Sequence, residues 1–119
     1  MAKHNELGKI GEELAAQHLL AKGYKILDRN YFFEHAEVDI IAQKDEYVVC
    51  VEVKTRNSDF FGDPQSFVTP GKIKQIVKVM NAYLEEHDIE LETRFDIIAV
   101  LKNKTTELVT HYEDAFYHF

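Results

Sequence analysis

Three charged residues interrupt two apolar stretches of the chain, and their types suit metal-dependent chemistry. Asp39 lies within residues 38–41, and Glu52 and Lys54 lie two positions apart near the end of residues 47–54. A carboxylate or an ammonium is costly to bury without a partner, so its presence on an apolar strand needs an explanation. Carboxylate oxygens bind Mg²⁺ or Mn²⁺, which polarises a phosphoryl oxygen, and a nearby ammonium can orient the attacking water. The three residues therefore indicate a site for phosphodiester hydrolysis.

The register of a predicted β-hairpin decides whether these side chains meet. Side chains alternate along a strand, so Glu52 and Lys54 project from the same face. A two-residue turn puts Asp39 opposite Cys50, and a four-residue turn puts it opposite Glu52. Both turns leave the cluster on one face, because directly paired residues share a face. A three-residue turn without a bulge would pair Asp39 with Val51 and break the cluster. The site hypothesis therefore predicts an even register.

Hydrophobic periodicity and turn residues predict two helices and five strands. In chain order, we expect a helix over residues 5–22 that Asn5 caps and Gly23 ends, followed by strands over 24–33, 36–43 and 47–54. A long loop over 55–69 leads to a second helix that is capped by Thr69 and has Pro70 at its first position. The last two strands are expected over 94–101 and 107–111. The order α-β-β-β-α-β-β predicts a single α/β (α+β) domain over residues 1–119, in which helices flank a mixed central β-sheet.

Each predicted helix carries one apolar stripe that should face the sheet. The first stripe comprises Leu7, Ile10, Leu14, His18 and Ala21. The second stripe comprises Ile73, Ile76, Val77, Met80 and Leu84. Two residues on the strands are given structural roles. Cys50 is predicted to be a small core hydrophobe, and Asp96 is predicted to pair with Arg94.

The composition is typical of a soluble globular protein. The chain has 119 residues, of which 45% are hydrophobic and 29% are charged, and a chain of this length can bury a core without disulfides. A single cysteine excludes an internal disulfide and fits a reducing compartment. No signal peptide or membrane span is predicted, since Glu12, Glu13 and Gln17 interrupt the first apolar stretch. We therefore expect a cytoplasmic protein that has no membrane partner. The histidines follow no zinc-binding pattern.

The net charge of −7 opposes long-range attraction to a nucleic acid. The charge is distributed unevenly, however, because residues 54–81 carry five basic residues against two acidic ones. A local basic patch is expected if Arg56, Lys72, Lys74 and Lys78 flank the predicted site. If these side chains scatter over the surface instead, binding of a polyanion is not supported.

The spacing of Asp39, Glu52 and Lys54 after an N-terminal helix resembles the PD-(D/E)xK nuclease superfamily, and the chain is similar to the YraN-like family of predicted endonuclease-related proteins. An isolated E-x-K is common by chance, but the full set of matching stretches in this order is specific. The stretches are Gly8-x-x-Gly11-Glu12-x-x-Ala15, Gly23-Tyr24-x-Ile26-Leu27-x-x-Asn30, Glu37-Val38-Asp39-Ile40-Ile41, Val51-Glu52-Val53-Lys54-x-Arg56, Phe61-Gly62-x-Pro64, Lys72, Arg94-Phe95-Asp96 and His111-Tyr112-Glu113-Asp114-Ala115-Phe116.

This resemblance implies a restriction-endonuclease-like core, close to that of archaeal Holliday-junction resolvases. It implies that Asp39 and Glu52 ligate Mg²⁺ or Mn²⁺, that Lys54 assists catalysis, and that Glu12 adds a third acidic group. The expected activity is that of an endonuclease acting on DNA rather than RNA, in repair or recombination, with branched DNA as one candidate substrate. A homodimer is also expected, since cleavage of two strands would need two sites.

Four residues are predicted to contact nucleic acid: Arg56, Lys72, Lys74 and Gln75. Lys72 and Gln75 lie where the superfamily often places a polar helix residue near its site. Simpler alternatives exist for several positions. The helix lysines could form a solvated face, Glu12 could supply acidity to the first part of its helix, and Glu52 and Lys54 could form an exposed ion pair.

Three functions remain open on these grounds. The first is a metal-dependent nuclease. The second is a nucleic-acid-binding module that keeps the fold but has no useful activity. The third is an acidic domain that binds another protein. The arrangement of the basic side chains separates the third function from the others, and metal-dependent cleavage separates the first from the second.

Overall fold

The computed structural model describes residues 2–58 and 68–115, and for residues 2–5 it describes the backbone alone. In chain order the elements are α1 (Ala2–Ala21), β1 (Lys25–Phe33), β2 (Ala36–Lys44), β3 (Tyr47–Arg56), α2 (Pro70–Glu86), β4 (Glu92–Lys102) and β5 (Glu107–Tyr112). The predicted α+β class and the order α-β-β-β-α-β-β are both confirmed.

The five strands form one mixed sheet in the order β1-β2-β3-β4-β5. β3 and β4 are parallel, and every other neighbouring pair is antiparallel. A parallel connection needs a crossover, and α2 supplies it between β3 and β4. The mixed sheet therefore follows from one helical crossover inserted between two antiparallel segments.

The two helices cover opposite faces of this sheet, as the alternation of β3 predicts. Val48 and Cys50 belong to the core cluster that contains the buried residues of α2. Val49 and Val51 belong to the second cluster, which contains the buried residues of α1. Cys50 is fully buried, which confirms its predicted place in the core. Because both faces of β3 are covered, a charged side chain on this strand is buried away from solvent unless it lies near the strand end.

Helix α1 packs on the sheet through small residues, and its predicted stripe was partly wrong. Ile10 is 45% exposed, whereas Ala15 and Ala16 are buried. A Cβ at Gly11 would overlap the side chain of Thr55 on β3, so the helix approaches the strand more closely than larger residues would allow. The close contact at Gly11 therefore helps to set which face of α1 is buried, and that face carries Ala15, Ala16 and the fully buried Leu19.

The start of α1 also differs from the prediction. The helix begins at Ala2, so Asn5 lies inside it and is not its N-cap. Alanine and lysine, which are good helix formers, precede Asn5 and allow the helix to extend toward the N-terminus. Neither α1 nor α2, the helices of the described residues, combines the length and apolar character needed to cross a membrane.

Helix α2 begins as predicted, and this start positions its first turn over the sheet. The side chain of Thr69 accepts a hydrogen bond from the backbone N–H of Lys72 (3.2 Å), and Pro70 occupies the first helical position. The predicted stripe faces the sheet, where Ile76 and Met80 are fully buried together with Val79. The cap therefore fixes where the side chain of Lys72 leaves the helix.

Two predicted segments fall partly or wholly outside the described residues. The first two positions of the predicted loop 55–69 belong to β3, and residues 59–67, which include Phe61-Gly62-x-Pro64, are outside the described range. Phe116, the end of the last matching stretch, lies outside it as well.

Asp96 on β4 is fully buried and contacts three polar groups. Arg94 donates to both of its oxygens (3.0 and 2.8 Å), which confirms the predicted pair. The backbone N–H of Asp114 donates to Oδ1 (2.9 Å), and Nε2 of His111 lies 2.8 Å from Oδ2. Burial acts to raise the pKa of Asp96, but the hydrogen bonds from His111, Arg94 and Asp114 outweigh it and hold the pKa below its ordinary value.

We expect Asp96→Asn to lower the free energy of unfolding by about 3 kcal/mol in urea titrations, because it breaks the buried ion pair of Arg94 and leaves only the half-exposed Glu113, 3.8 Å away, as a counter-charge. The matched control is Glu107→Gln, which removes an exposed ion pair with Lys102 and should cost about 0.5 kcal/mol or less. Since the native pKa of Asp96 is depressed, its contribution is present above the ordinary value of 3.8 and is lost as pH falls. The difference in the free energy of unfolding between wild type and Asp96→Asn should therefore decrease in acid. Equal stability of Asp96→Asn and Glu107→Gln would contradict this role.

Candidate functional site

The β2–β3 hairpin has the even register that the site hypothesis requires. Ile41 pairs with Cys50 and Ile40 pairs with Val51. One further step in this register places Asp39 opposite Glu52, as the predicted four-residue turn would have placed it. The prediction that the carboxylates lie on one face of the sheet is therefore confirmed at the level of register.

The turn that produces this register is shorter than the four-residue alternative. Lys44 still pairs with Tyr47, so only Asp45 and Glu46 form the connection. Asp45 adopts a positive φ of 54°, a conformation that Asp tolerates better than most residues and that two-residue hairpins require. The two-residue turn thus lies one position later than the one considered from the sequence.

The carboxylate of Asp39 is held by the backbone of the neighbouring strand. The N–H of Val53 donates to Oδ2 of Asp39 (2.8 Å), beyond the last recorded backbone pair between β2 and β3. Burial raises the pKa of Asp39 to about 6; the hydrogen bond from Val53 acts against this rise, and the nearby charges of Glu12 and Glu37 add to it. Asp39 is therefore fixed in position but remains costly to ionise.

Glu52 is the least well compensated charged group of the site, because it is buried with too few hydrogen-bond and ion-pair partners. The residue is only 9% exposed. Its Oε1 lies 3.6 Å from Nζ of Lys72, and its Oε2 is buried without a hydrogen-bond partner among the described residues. Burial, and then the charge of Asp39, raise the pKa of Glu52 to about 8. The interpretation of Glu52 as part of an exposed ion pair is wrong.

The predicted trio meets in one cavity of about 330 Å³ on the α2 side of the sheet. Asp39, Glu52 and Lys54 all line it, together with Lys72 and Thr69 from the start of α2. Burial, followed by the charge of Arg56, lowers the pKa of Lys54. This cavity is called the carboxylate cavity below. It places two carboxylates and two ammonium groups around a space that opens to solvent.

Glu12 lies on the other side of β3 from the carboxylate cavity. It lines a larger cavity of about 720 Å³ between α1 and the ends of β2 and β3, called the α1 cavity below. Its Oε1 accepts a hydrogen bond from Nδ2 of Asn30 (3.0 Å). The negative charge of Glu12 contributes to the raised pKa of Asp39. The interpretation of Glu12 as first-turn acidity is wrong, because α1 begins at Ala2 and Glu12 lies near its middle. Its role as a third acidic group stays a prediction.

The predicted nucleic-acid contacts divide between three places. Lys72 lines the carboxylate cavity, and Arg56 lines the α1 cavity. Gln75 lines a third, smaller cavity of about 190 Å³, next to Lys78, which pairs with Glu34. The exposed side chain of Lys74 lines none of the three. Of the four basic side chains expected to flank Asp39 and Glu52, only Lys72 therefore does so; Arg56 lines the α1 cavity, and Lys74 and Lys78 lie elsewhere.

Glu37 is a functional candidate that the sequence interpretation missed. Its charge raises the pKa of both Asp39 and Glu52, and its side chain lines the α1 cavity. Strand alternation gives no signal for it, because the packing of β2 changes side between Val38, in the cluster of α2, and Ile40, in the cluster of α1. Glu37 therefore lines the α1 cavity although it precedes Asp39 by two positions. Within residues 2–58 and 68–115, however, no group of three or more His, Cys, Asp or Glu side chains is arranged to hold a metal ion.

The profile of Uncharacterised protein family UPF0102 matches residues 11–100, a range that contains Glu12, Asp39, Glu52 and Lys54. The chain belongs to this family.

Relatives of the family match over nearly the whole chain. A protein of Flavobacterium psychrophilum is 56% identical and one of Christiangramia forsetii is 52% identical, with complete coverage of both chains in each case. A protein of Phocaeicola vulgatus is 44% identical over 98% of this chain and 97% of its own. Each of these relatives is named as a UPF0102 protein, and the names state no activity.

We expect Glu52→Gln to stabilise the protein in alkaline solution. The native pKa of about 8 exceeds the ordinary value of 4.5, so the carboxyl group favours folding while protonated and disfavours it increasingly as pH rises between these values. At about pH 9, the substitution should increase the free energy of unfolding by an amount on the order of 1 kcal/mol, which would raise the Tm by roughly 3–8 °C. This increase should largely vanish at about pH 5.

Differential scanning calorimetry of the two proteins across this pH range measures the effect. Glu46→Gln is the matched control, because Glu46 is an exposed carboxylate in the turn of the same hairpin. A Tm difference for Glu52→Gln that is constant with pH, or no larger than that of Glu46→Gln, would contradict the strained burial of Glu52.

Proposed function

We propose that the protein is a Mg²⁺- or Mn²⁺-dependent nuclease that hydrolyses phosphodiester bonds in DNA. The observation that carries the proposal is the pair of buried carboxylates, Asp39 and Glu52, that share a cavity with Lys54. A structural role alone explains this arrangement poorly, because two neighbouring carboxylates destabilise the fold unless a cation joins them. The resemblance to the PD-(D/E)xK superfamily and its restriction-endonuclease-like fold agrees with the same chemistry.

The residues present fit a hard divalent cation. Oε2 of Glu52 is buried and has no partner among the described residues, and Asp39 uses Oδ2 for the N–H of Val53. Both pKa values are raised, as expected for carboxylates whose counter-charge is only partly supplied by Lys72. Mg²⁺ keeps several waters and needs only one or two protein carboxylates, so Asp39 and Glu52 would hold it.

The side chains around the carboxylates have distinct roles in this proposal. A bound Mg²⁺ or Mn²⁺ supplies Lewis acidity and lowers the pKa of water at the site. Lys54 projects into the same cavity, where its ammonium can orient the attacking water or neutralise charge that develops on the phosphoryl oxygens. Lys72, at the first turn of α2, adds a second positive group that can hold the phosphate against the carboxylates. The N–H of Val53 keeps Asp39 in place throughout.

The proposed substrate is DNA rather than RNA, with branched molecules of repair or recombination among the candidates. This part of the proposal rests on the similarity to junction resolvases. A homodimer belongs to the same proposal, because two sites are needed when two strands are cut.

A second candidate is a nucleic-acid-binding module without turnover. It is favoured by one observation: Glu12, expected as a third acidic group, lines the α1 cavity and not the carboxylate cavity. The third candidate, an acidic domain that binds another protein, draws on the net charge of −7 and on the positions of Lys74 and Lys78 away from the site. Metal-dependent cleavage distinguishes the nuclease from both.

The nuclease proposal predicts cleavage of DNA that depends on the divalent ion and on the site residues. Single-stranded, flapped and four-way-junction DNA should be incubated with the protein and Mg²⁺ or Mn²⁺, and the products separated on a denaturing gel. Glu52→Ala and Lys54→Ala should each lower the rate at least about a hundredfold, since each removes an interaction with the transition state.

The control for cleavage is Lys74→Ala, an exposed lysine of α2 outside both cavities, which should cut at the rate of the wild type. Absence of metal-dependent cleavage on every substrate would overturn the proposal. Equal cleavage by Glu52→Ala and wild type would point to a contaminating nuclease and overturn it too.

Metal binding can be measured without any substrate. Mn²⁺ should raise the Tm of the wild type, by an amount equivalent to about 2.7 kcal/mol when the free ion is about a hundredfold above its Kd. The rise should shrink at about pH 5, because protons compete for carboxylates with raised pKa values. Asp39→Asn and Glu52→Gln should lose most of the rise, and Glu46→Gln should keep it. An equal rise in all four proteins would mean that the ion binds elsewhere.

A further inference from the structure

The α1 cavity and the carboxylate cavity meet at β3. Val53 and Lys54 line both, so the side chain of Lys54 stands between the two spaces. The α1 cavity, at about 720 Å³, is about twice the volume of the carboxylate cavity at about 330 Å³. A chain-like ligand with one group at the carboxylates can therefore continue into the α1 cavity past Lys54.

Gly8 forms part of the α1 cavity wall and has no packing reason to be glycine. It lies inside helix α1, where glycine is less favourable than alanine. Apart from the adjoining residues and the backbone of its own helix, no atom of the described residues lies within 4 Å of the position that its Cβ would take. Gly11, one turn later, differs because the side chain of Thr55 fills that place. The smallest residue at Gly8 therefore leaves open space at the cavity wall, next to the helix backbone.

The charges around the α1 cavity favour an anion. Lys9, Lys54 and Arg56 line it, against the carboxylates of Glu12 and Glu37, in a chain whose net charge is −7. Among the described residues, Lys9 forms no ion pair, and Arg56 forms none either, since its recorded hydrogen bond is to the backbone oxygen of Thr55. Two cations at the cavity therefore have no counter-charge within that part of the chain.

One carboxylate of the lining has a local partner. Oε1 of Glu12 accepts a hydrogen bond from the side chain of Asn30, which also lines the cavity. This contact draws Glu12 toward β1. Lys9 and Arg56 are then the lining cations without an ion pair among the described residues that a phosphate can meet, while Lys54 lines both cavities.

We propose that the α1 cavity binds the phosphodiester backbone of the nucleic-acid strand that flanks the cleaved bond, with Lys9 and Arg56 as phosphate contacts and Gly8 as the position that leaves room for the strand. This inference rests on the proposed function, because it places the cleaved phosphate at Asp39 and Glu52. It assigns the contacts of the strand to α1 and the end of β3, whereas Lys74 and Gln75 of α2 take no part.

Fluorescence anisotropy with a fluorescein-labelled DNA oligonucleotide, single-stranded and as its duplex, tests the subsite in EDTA, where cleavage cannot interfere. Lys9→Gln and Arg56→Gln should each weaken binding about three- to tenfold and each lower the slope of log Kd against log salt by about one. Gly8→Leu should weaken binding at least about fivefold while leaving the Tm unchanged or higher, because leucine favours helix and its side chain meets open space.

Two controls belong to this experiment. Lys74→Gln removes the same charge from an exposed position outside both cavities and should leave affinity and salt slope unchanged. Gly8→Ala adds a single methyl group and should bind more tightly than Gly8→Leu. Unlabelled polyglutamate should not displace the oligonucleotide at equal charge concentration, because the subsite is proposed to fit a phosphodiester strand rather than an acidic peptide.

Several outcomes would overturn the subsite: no binding by the wild type, equal losses for Lys74→Gln and Lys9→Gln, full affinity of Gly8→Leu, or displacement by polyglutamate. Failure of the nuclease proposal is a separate result. If binding depends on Lys9, Arg56 and Gly8 but no metal-dependent cleavage is seen, the nuclease proposal is overturned and the subsite is supported. Cleavage that depends on Glu52, with affinity unchanged in Lys9→Gln, Arg56→Gln and Gly8→Leu, would support the activity and overturn the subsite.

Discussion

The burial of two neighbouring carboxylates at the end of the β2–β3 hairpin is the constraint on which the site depends. Asp39 and Glu52 leave water because the sheet lies below them and the first turn of α2 lies above. Lys72 offsets part of this cost at 3.6 Å, and the N–H of Val53 offsets another part. Oε2 of Glu52 has no partner among the described residues. A fold that keeps such a group gains nothing in stability from it, and charged groups of this kind are concentrated at functional sites.

Asp96 provides the internal comparison, since it is a carboxylate buried on the same sheet. Its two oxygens receive donors from Arg94, His111 and the backbone of Asp114, and its pKa falls below the ordinary value. The pKa of Glu52, whose one ion pair is with Lys72 at 3.6 Å, rises to about 8. Burial is common to both groups, so the difference lies in the number of donors and in the charge of Asp39 beside Glu52. Asp96 is therefore a structural carboxylate, whereas Glu52 is suited to receive a cation that is not part of the chain.

Helix α1 connects this site to the surrounding surface through two glycines with opposite surroundings. Gly11 brings the helix against Thr55 of β3 and thereby sets the distance between helix and sheet. Gly8, one turn earlier, faces open space at the α1 cavity. Helix α1 therefore leaves open space at Gly8 and makes a close contact with β3 one turn later, at Gly11. The helix that closes one side of the core therefore also shapes the space next to Lys54, where the two cavities meet.

Features that depend on near neighbours in the chain could be predicted from the residues: the order of the elements, the start of α2 at Thr69 and Pro70, the pairing of Arg94 with Asp96 two positions away, and the charged face of β3. Side-chain alternation and capping are local rules, so these could be predicted. Three other features follow only from the packing of the folded chain: which of two even registers the hairpin adopts, the pairing of Glu52 with Lys72 rather than Lys54, and the place of Glu12 in a separate cavity. The buried stripe of α1 was also decided there, by its close contact with β3. These features depend on distances between segments far apart in the chain, and such distances are set by packing.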